Sequence, residues 1–425
     1  MAKKNTPEVK EEQKIQTKYD RKMAERKQRV LIVHNYYQIP GGEDTVVANE
    51  KKMLEEHGHE VVLYTRANEE LKHYSKWQKL LLPFSTVFNL KTYREIRKII
   101  AEQEIEIVHV HNTLNLVSPS VYYAAFHCHV PIVQTIHNFR LLCPAATFFR
   151  DGHICEDCIS KGLFCSVMHK CYRDSRVQTL ACVISHLIHR ALGTYRKLNY
   201  ICLTEFNKEK LLQLKQIKAE QVFVKPNFVD AATVSVPYDQ RKNQFVYVGR
   251  LEEIKGIEVL LKAWKLLGEE APKLLLCGKG PLEEWCREYI SENHLEKVKQ
   301  LGFVPNDRVK KIIGESKGLV LPTQVYEGFP MTIAEAYACG TPVIGSDIGN
   351  TGSLIEEGKS GFKFNHKSPE KLAEAVKKAE TEFLELEQSI ISKYSAENNY
   401  GKLREIYETC CNHNKYSSSV SCRFF

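Results

Sequence analysis

Two glutamates eight residues apart give the strongest chemical signal in the sequence, within Glu327-Gly-Phe-Pro-Met-Thr-Ile-Ala-Glu335. Gly328 lets the backbone approach a bound group closely, and Phe329-Pro330 set the start of a helix whose free N–H groups favour a phosphate. Each carboxylate can accept hydrogen bonds from two hydroxyls at once. The spacing predicts one loop and helix that hold a sugar, a diphosphate and a ribose. The alternative is a pair of surface glutamates around an ordinary turn.

Two cations follow an earlier predicted strand, where Phe245-Val-Tyr-Val-Gly249-Arg250 runs into Leu251-Glu-Glu-Ile-Lys255-Gly256. The planar fork of Arg250 and the compact charge of Lys255 suit the oxygens of a diphosphate leaving group. A second glycine loop, Gly278-Lys279-Gly280, ends another strand, and it is not a P-loop because Lys279 is not followed by Ser or Thr. The sequence has no Asp-x-Asp, so no cofactor is predicted for catalysis.

The elements that must position these residues alternate between strand and helix. Apolar runs such as Val30-Leu-Ile-Val33 and Pro342-Val-Ile-Gly345 alternate with amphipathic segments through most of the 425 residues. This order predicts parallel sheets with crossover helices, and two such series predict two domains. The fold class is therefore α/β, with two Rossmann-like doubly wound domains facing across a cleft. The ligand is expected outside the carboxyl ends of the strands.

The predicted boundaries follow from the same alternation. They are a charged flexible tail at 1–28, a first domain at 29–230, a second domain at 243–395, and a C-terminal helix with a frayed tail at 396–425. The C-terminal helix is expected to cross back onto the first domain. No apolar run approaches the ~20 residues of a membrane span, and the charged start has no secretory pattern, so a cytoplasmic location is expected.

Positive charge is concentrated in the first half of the chain. Residues 1–229 hold 34 Lys and Arg against 24 Asp and Glu, whereas the remainder holds 26 against 28. This asymmetry predicts an anionic partner for the first half, and since no nucleic-acid motif appears, a membrane surface or phosphorylated lipid is favoured over nucleic acid. Solvated surface lysines are the alternative.

Residues 72–100 have the composition of a segment that lies at a membrane interface. Basic residues flank an apolar and aromatic stretch there on both sides: Lys76, Trp77 and Lys79 come first, then Leu80-Leu-Leu82, Phe84 and Phe88, and then Arg94 and Arg97. The alternative is an ordinary loop and helix packed on the domain, with 80–82 in its core. The first interpretation would place the protein peripherally on the inner face of the membrane.

A cysteine-rich insert spans 143–171. Five of the 14 cysteines lie in it: Cys143, Cys155, Cys158, Cys165 and Cys171. A reducing compartment argues against disulfides, and Cys-x2-Cys is a common half of a structural zinc site. The predicted ligands are Cys155, Cys158, Cys165 and Cys171. Buried free thiols and a redox pair are the alternatives.

In combination these motifs resemble glycosyltransferase family 4, whose members have two Rossmann-like domains in the GT-B fold. The resemblance covers roughly residues 29–400. It rests on Gly41-Gly42, Gly58-His59-Glu60-Val61, His109-Val-His111, His137-Asn138, Gly249-Arg250 with Lys255-Gly256, and the pair Glu327 and Glu335. The family often has Asp at the position of Asn138, so this chain lacks one negative charge there. Some similar sugar transferases also have a cysteine-rich stretch.

The resemblance implies roles for these residues. Glu327 is expected to bind sugar hydroxyls and to act in catalysis together with His137, near the reacting sugar, and Glu335 is expected to bind the ribose. The donor-binding set is Gly41, Gly42, Arg250, Lys255, Gly278, Lys279, Phe329, Pro330, Met331 and Glu335. His111 is a better cleft candidate than His109, and for both the alternative is a structural histidine with its hydrogen bonds satisfied.

The activity implied is transfer from a UDP- or GDP-sugar, with retained anomeric configuration, to a saccharide or lipid-linked saccharide in cell-surface polysaccharide synthesis. An epimerase of similar build would need no acceptor, and a non-catalytic nucleotide-sugar-binding protein would show no turnover. Both remain as alternatives.

Overall fold

The computed structural model describes residues 27–37, 41–229, 236–382 and 384–415. Nearly all of the predicted tail at 1–28 lies outside these ranges, as do residues 416–425 of the predicted C-terminal tail and residues 230–235 between the two predicted domains. No helix within the described part of the chain is both long and apolar enough to cross a membrane.

A six-stranded parallel sheet organises the first half of the chain. The strands are β1 (Arg29–Tyr36), β2 (Glu60–Ala67), β3 (Ile107–Val110), β4 (Ile132–Ile136), β5 (Phe149–Arg150), β6 (His153–Ile154), β7 (Asn199–Cys202) and β8 (Val222–Val224). Strands β5 and β6 form a separate hairpin, and the others pair in the order β2-β1-β3-β4-β7-β8. Because helices cover both faces, residues 30–33 of the central strand β1 are wholly buried, as their continuous apolar run predicts.

The second half repeats this architecture. Its strands are β9 (Lys242–Val248), β10 (Lys273–Cys277), β11 (Val298–Gly302), β12 (Ser316–Leu321), β13 (Val343–Ser346) and β14 (Gly361–Phe364). They form a second parallel sheet in the order β11-β10-β9-β12-β13-β14. In each sheet the chain moves outward from an inner strand in both directions, which places a crevice at the carboxyl ends of the central strands.

Helices connect the strands on both faces of each sheet. They are α1 (Gly42–Glu56), α2 (Lys76–Val87), α3 (Leu90–Glu102), α4 (Ser120–His127), α5 (Asp157–Ser160), α6 (Phe164–Met168), α7 (Arg176–Ala191), α8 (Glu205–Leu212), α9 (Ile257–Leu267), α10 (Glu283–Glu292), α11 (Asn306–Gly314), α12 (Met331–Ala338), α13 (Gly349–Leu354), α14 (Pro369–Thr381), α15 (Gln388–Ser392) and α16 (Ala396–Lys415).

The C-terminal helix α16 returns to the first half of the chain. Tyr400, Leu403 and Tyr407 on this helix pack with Val30 and Ile32 of β1 in one buried apolar cluster. The backbone N–H of Val229 also donates to the carbonyl of Tyr394 at 3.0 Å. The two chain segments that connect the halves therefore lie side by side. The C-terminal helix packs on the first half, as the sequence predicts.

Candidate active site

The loop after β12 places Glu327 beside Lys255. The Lys255 Nζ donates to both carboxylate oxygens of Glu327, at 2.8 and 3.0 Å, and the Thr323 hydroxyl donates to one of them at 2.9 Å. Both charged side chains are only partly buried. The two strongest sequence motifs, 72 residues apart, thus meet at one edge of the second sheet and present an anion and a cation together.

Two glycines allow the backbone to converge at this edge. Gly256 has φ +72° just before α9, and a Cβ there would lie 1.8 Å from the Pro322 carbonyl oxygen. Gly278 has φ +146°, and its Cβ would lie 1.8 Å from the Gly249 carbonyl oxygen. No larger residue fits either position without moving the backbone, so the glycines after β9 and β10 have a packing role.

The other predicted donor-binding residues of the second half differ in how far their side chains are exposed to solvent. Arg250 is exposed and pairs with Glu252 at 2.9 Å, and Lys279 is exposed in the neighbouring loop. Glu335 lies in the second turn of α12, where burial raises the pKa of its carboxyl and Lys310 opposes the shift. The Phe329 side chain is buried in the core against Tyr394. Only its backbone can therefore face a ligand.

The same loop touches the first half of the chain at Gly328. A Cβ at Gly328 would lie 2.0 Å from the carbonyl oxygen of His137, so the two backbones are in direct contact. The Asn207 and Asn350 side-chain amides donate to the Gly328 carbonyl at 2.8 and 2.7 Å. Asn350 also donates to Asn207 at 2.6 Å. Sequence reasoning missed both asparagines, because isolated polar residues on α8 and α13 carry no motif.

Gly42 faces the start of α12. A Cβ at Gly42 would lie 3.7 Å from the Met331 Cγ, so the glycine turn before α1 lies opposite the second half of the site. The side chain of its neighbour Glu43 is largely buried, and this burial together with Asp44 raises the pKa of Glu43 to about 8, while Arg140 opposes the shift. The raised pKa favours the neutral carboxyl, which repels an anionic ligand less than an ionised glutamate would.

His137 follows β4 and joins a buried histidine cluster. Its Nε2 lies 2.9 Å from the Nδ1 of His111, and burial lowers the pKa of His137 well below its usual range. His111 is buried rather than open to the cleft. His109 is the structural histidine of the alternative interpretation, because its two nitrogens contact the hydroxyls of Tyr407 and Thr135, both at 2.7 Å.

Glu50, His109 and His111 also bring three potential ligand atoms within 4.8 Å of one another, the one such group among the described residues. A cation there would face Lys225, whose ammonium group already pairs with the Glu50 carboxylate. With His109 occupied at both nitrogens as well, the geometry favours a hydrogen-bonded cluster over a metal site.

The cysteine insert brings thiols near one another, but their sulfur atoms do not form a complete metal site. The Sγ atoms of Cys158 and Cys165 lie 3.7 Å apart, and all five cysteines are unpaired by disulfides. No three cysteine sulfurs meet the same 4.8 Å criterion among the described residues. Cys143, outside the predicted ligand set, has its pKa lowered to about 6 by a hydrogen bond from Cys158 and by the backbone N–H groups of Phe148, Ala145 and Ala146.

The segment at 72–100 contains helix α2, where the sequence pattern indicates only an apolar run broken by Pro83. Ser75 caps it by accepting from the Gln78 N–H, and Pro83 lies inside it. Leu81 is 58% exposed, so the alternative with this leucine in the core is wrong. The 76–87 helix instead presents Trp77, Leu81 and Phe84 to solvent.

Helix α7 extends this exposed apolar surface. It packs against α2 and α6, and its outer side repeats apolar residues at helical spacing. We call the combined surface the α2–α7 face. It consists of Trp77, Leu81, Phe84, Phe88, Phe164, Met168, Val177, Leu180, Ile184, Ile188 and Leu192, all exposed. Around it lie the exposed basic residues Lys76, Lys161, Lys170, Arg173 and Arg176.

A narrow cavity of about 80 Å³ lies beneath the α2–α7 face. His111 and His137 line one side, and Thr86 of α2 and Ser185 of α7 line the other. The cavity therefore connects the histidine that meets Gly328 with the inner sides of the helices whose outer sides are apolar.

Comparison with known proteins agrees with this architecture. Residues 40–233 match the family model "Glycosyltransferase Family 4", and residues 231–396 match the model "Glycosyl transferases group 1". The chain therefore matches a glycosyltransferase model in each of its two halves. It belongs to glycosyltransferase family 4, and the predicted fold of two facing α/β domains is confirmed.

Curated relatives are similar over parts of the chain. An uncharacterized glycosyltransferase of Methanocaldococcus jannaschii is 28% identical over 201 residues, 44% of this chain and 51% of that protein. The amylovoran biosynthesis glycosyltransferase AmsK of Erwinia amylovora is 32% identical over 123 residues, 27% of this chain and 30% of AmsK. One component of the human phosphatidylinositol N-acetylglucosaminyltransferase is 23% identical over 343 residues, 77% of this chain and 63% of that protein. The chain spans about half the length of the first of these, and less of the second.

Among solved structures, HepE of Anabaena in complex with UDP and glucose superposes with a TM-score of 0.58 at 17% identity. The match covers 90% of this chain and all of HepE. At this identity the likeness supports the fold, with two six-stranded parallel sheets on either side of a cleft.

Proposed function

We propose that this protein is a retaining glycosyltransferase that moves a sugar from a UDP- or GDP-sugar to a saccharide or lipid-linked saccharide acceptor. The observation that carries the proposal is the Lys255–Glu327 pair, 2.8 Å apart, in a loop whose Gly328 touches the backbone of His137. A diphosphate needs the cation and a sugar needs the carboxylate. Both lie where the two halves of the chain meet.

The reaction follows from these positions. Lys255, Arg250 and the free N–H groups at the start of α12 stabilise the diphosphate as it leaves, and Glu327 orients the sugar through its hydroxyls. Glu335 binds the ribose. The acceptor hydroxyl attacks on the side from which the diphosphate departs, and a phosphate oxygen takes its proton, so the anomeric configuration is retained. The proposed chemistry uses no metal cofactor.

The binding of a nucleotide sugar is supported by the structural likeness to HepE, which was solved with UDP and glucose. Gly41-Gly42 would close over the phosphates from the first half, since Gly42 faces Met331. The Gly278-Lys279 loop lies beside the Gly249 carbonyl and would border the nucleotide.

The acceptor would approach from the first half. AmsK, by its name, acts in biosynthesis of amylovoran, and the human relative is named for a phosphatidylinositol acceptor. These names, the α2–α7 face and the cavity beneath it support an acceptor built on a lipid. We place this protein in cell-surface polysaccharide synthesis, working from the cytoplasmic side of a membrane to which it attaches peripherally.

The first prediction tests the activity itself. Purified protein incubated with a panel of UDP- and GDP-sugars and a bacterial lipid extract should form a glycosylated product, and NMR of its new linkage should show the anomeric configuration of the donor. Conversion of the donor sugar without any acceptor would identify an epimerase instead. Tight nucleotide-sugar binding without turnover on any acceptor would identify a binding protein.

We also propose one structural zinc ion in the cysteine insert. The 3.7 Å separation of Cys158 and Cys165 matches the edge, about 3.8 Å, of a tetrahedron with zinc–sulfur bonds of about 2.3 Å. The side-chain hydrogen bond between Cys143 and Cys158 places Cys143 beside Cys155, Cys158, Cys165 and Cys171, from which the four ligands would come. Phe148 of this insert packs on Tyr326, the neighbour of Glu327, so the metal would brace the site.

The second prediction concerns this metal. Elemental analysis of the reduced, purified protein should find about one zinc per chain, and Cys158→Ser should remove it and lower the melting temperature. Cys128→Ser, at a cysteine outside the insert, serves as the control and should leave the zinc content unchanged. A wild-type protein that is stable without bound metal would contradict the proposal.

A further inference from the structure

A chain of buried polar contacts leads from the connection between the two halves to His137. Lys225, just after β8, pairs with Glu50 of α1, and both side chains are almost completely buried. The other oxygen of Glu50, Oε2, lies 3.3 Å from the Nε2 of His111. The Nδ1 of His111 lies 2.9 Å from the Nε2 of His137. Four side chains from four separate segments thus form one line that ends at the proposed active site.

The charge of Glu50 decides where the protons along this line of contacts lie. Burial works to raise its pKa, but Lys225 and His111 hold the pKa of Glu50 well below its usual range. An ionised carboxylate can only accept. Among the described residues, neither its Oε2 nor the Nε2 of His111 has an aligned hydrogen-bond partner, and the two atoms lie 3.3 Å apart, so a proton on the Nε2 of His111 gives both atoms their nearest partner.

The protonation of His111 then fixes that of His137. A second proton on His111 would leave an uncompensated positive charge in a buried site, because Glu50 is already neutralised by Lys225. With its proton on Nε2, His111 has a bare Nδ1, which accepts from the Nε2–H of His137 at 2.9 Å. Burial lowers the pKa of His137, so this imidazole is also neutral, and its Nδ1 carries a lone pair.

We infer that Glu50 is a positioning residue that fixes the tautomer of His137, so that His137 meets a sugar hydroxyl as a hydrogen-bond acceptor. Lys225 keeps Glu50 ionised. The role of the sugar hydroxyl rests on the proposed function, whereas the tautomer follows from the contacts and charges of the buried groups without it. In an acceptor role, His137 pulls on a hydroxyl proton and cannot supply one to the leaving group.

The anchor of this line lies where the chain passes between its halves. Lys225 also donates to the side-chain oxygen of Asn399 on α16, at 3.0 Å, and Asn399 donates back to the Pro226 carbonyl at 2.5 Å. The two segments that connect the halves are thereby tied to Glu50. This placement gives the Lys225–Glu50 ion pair a structural role in the core of the first half, where apolar packing would otherwise be expected.

The third prediction tests the tautomer directly. Long-range ¹H–¹⁵N NMR of the full-length protein labelled at histidine should show His111 and His137 protonated at Nε2 and bare at Nδ1, with signals assigned through His111→Gln and His137→Gln. A proton on Nδ1 of His111 in the wild type would overturn the inference. This measurement needs no substrate, so it stands or falls separately from transfer activity.

Enzyme kinetics provide a second test of the positioning role of Glu50. Glu50→Gln alone leaves Lys225 unpaired in the core and is expected to unfold, so the test variant is the neutral pair Glu50→Gln with Lys225→Met. It should fold, show mixed tautomers at His111 and His137, and lose about 10- to 100-fold in kcat with little change in donor KM. The control Tyr407→Phe removes a buried hydrogen bond of the same cluster at His109 and should keep both tautomers and kcat. Unchanged tautomers in the folded double variant, or an equal loss of kcat in the control, would refute the positioning role.

Discussion

Replacing Glu327 by alanine should reduce kcat/KM for transfer by about 100-fold or more, with little loss of stability. The carboxylate is partly exposed and contacts Lys255 at 2.8 Å, so its removal costs a ligand contact rather than core packing. Removing one group aimed at the reacting centre typically costs about 100- to 1000-fold in rate. Lys255→Ala should have a comparable effect, because it removes the cation that faces the diphosphate. Steady-state kinetics with the preferred donor measure both losses.

A surface ion pair of the same kind provides the matched control for this fourth prediction. Glu258 and Lys262 pair at 3.2 Å on the outside of α9, with both side chains exposed. Glu258→Ala should leave kcat/KM and the melting temperature nearly unchanged, since such pairs contribute little. If Lys255→Ala retained full activity in a folded protein, the assignment of Lys255 to the diphosphate would be wrong.

Much of the fold is predictable because its signals are local. Buried parallel strands have continuous apolar runs, as at Val30-Leu-Ile-Val33, and glycines at strand ends mark the loops. Strand β14 is not evident in the sequence because its four residues start with Gly361 and include the charged Lys363. Helix α2 is not evident either, because Pro83 breaks its pattern and its apolar residues face outward, against the usual rule.

The candidate site is predictable only where chemistry and motif coincide. Glu327 and Lys255 lie in distinctive glycine-containing motifs, so their meeting could be expected. Glu50 could not be found in this way, because a glutamate on an amphipathic helix normally faces solvent, and only the packed structure shows it buried against Lys225. Contacts such as Gly328 on His137 depend on how the two halves face each other, which no local pattern encodes.

Substitutions on the α2–α7 face should have the second large effect, which is on membrane binding. Trp77 and Phe84 are 76% and 73% exposed on α2, and Ile184 lies in the apolar stripe of α7. Apolar side chains of this size gain about 1.5–3 kcal/mol each on burial, and each nearby basic residue gains up to about 1 kcal/mol at an anionic surface. A bilayer rich in anionic lipid satisfies both contributions, because it offers an acyl boundary beneath its charged headgroups.

The fifth prediction follows from these magnitudes. In flotation with vesicles of anionic and neutral phospholipid, the wild type should bind at low salt and less at high salt, and Leu81→Glu with Ile184→Glu should weaken binding at least about tenfold. The control pair, Leu266→Glu with Phe303→Glu, changes exposed apolar residues of the second half, 56% and 74% exposed against 58% and 41% for Leu81 and Ile184, and should leave binding unchanged. Changing Lys170, Arg173 and Arg176 to glutamate should weaken binding and reduce its dependence on salt.

If the wild type does not bind anionic vesicles at low salt, the acceptor reaches the cavity beneath this face from solution and the membrane proposal fails. If both pairs weaken binding equally, the attraction is general hydrophobicity and the α2–α7 face has no special part in it.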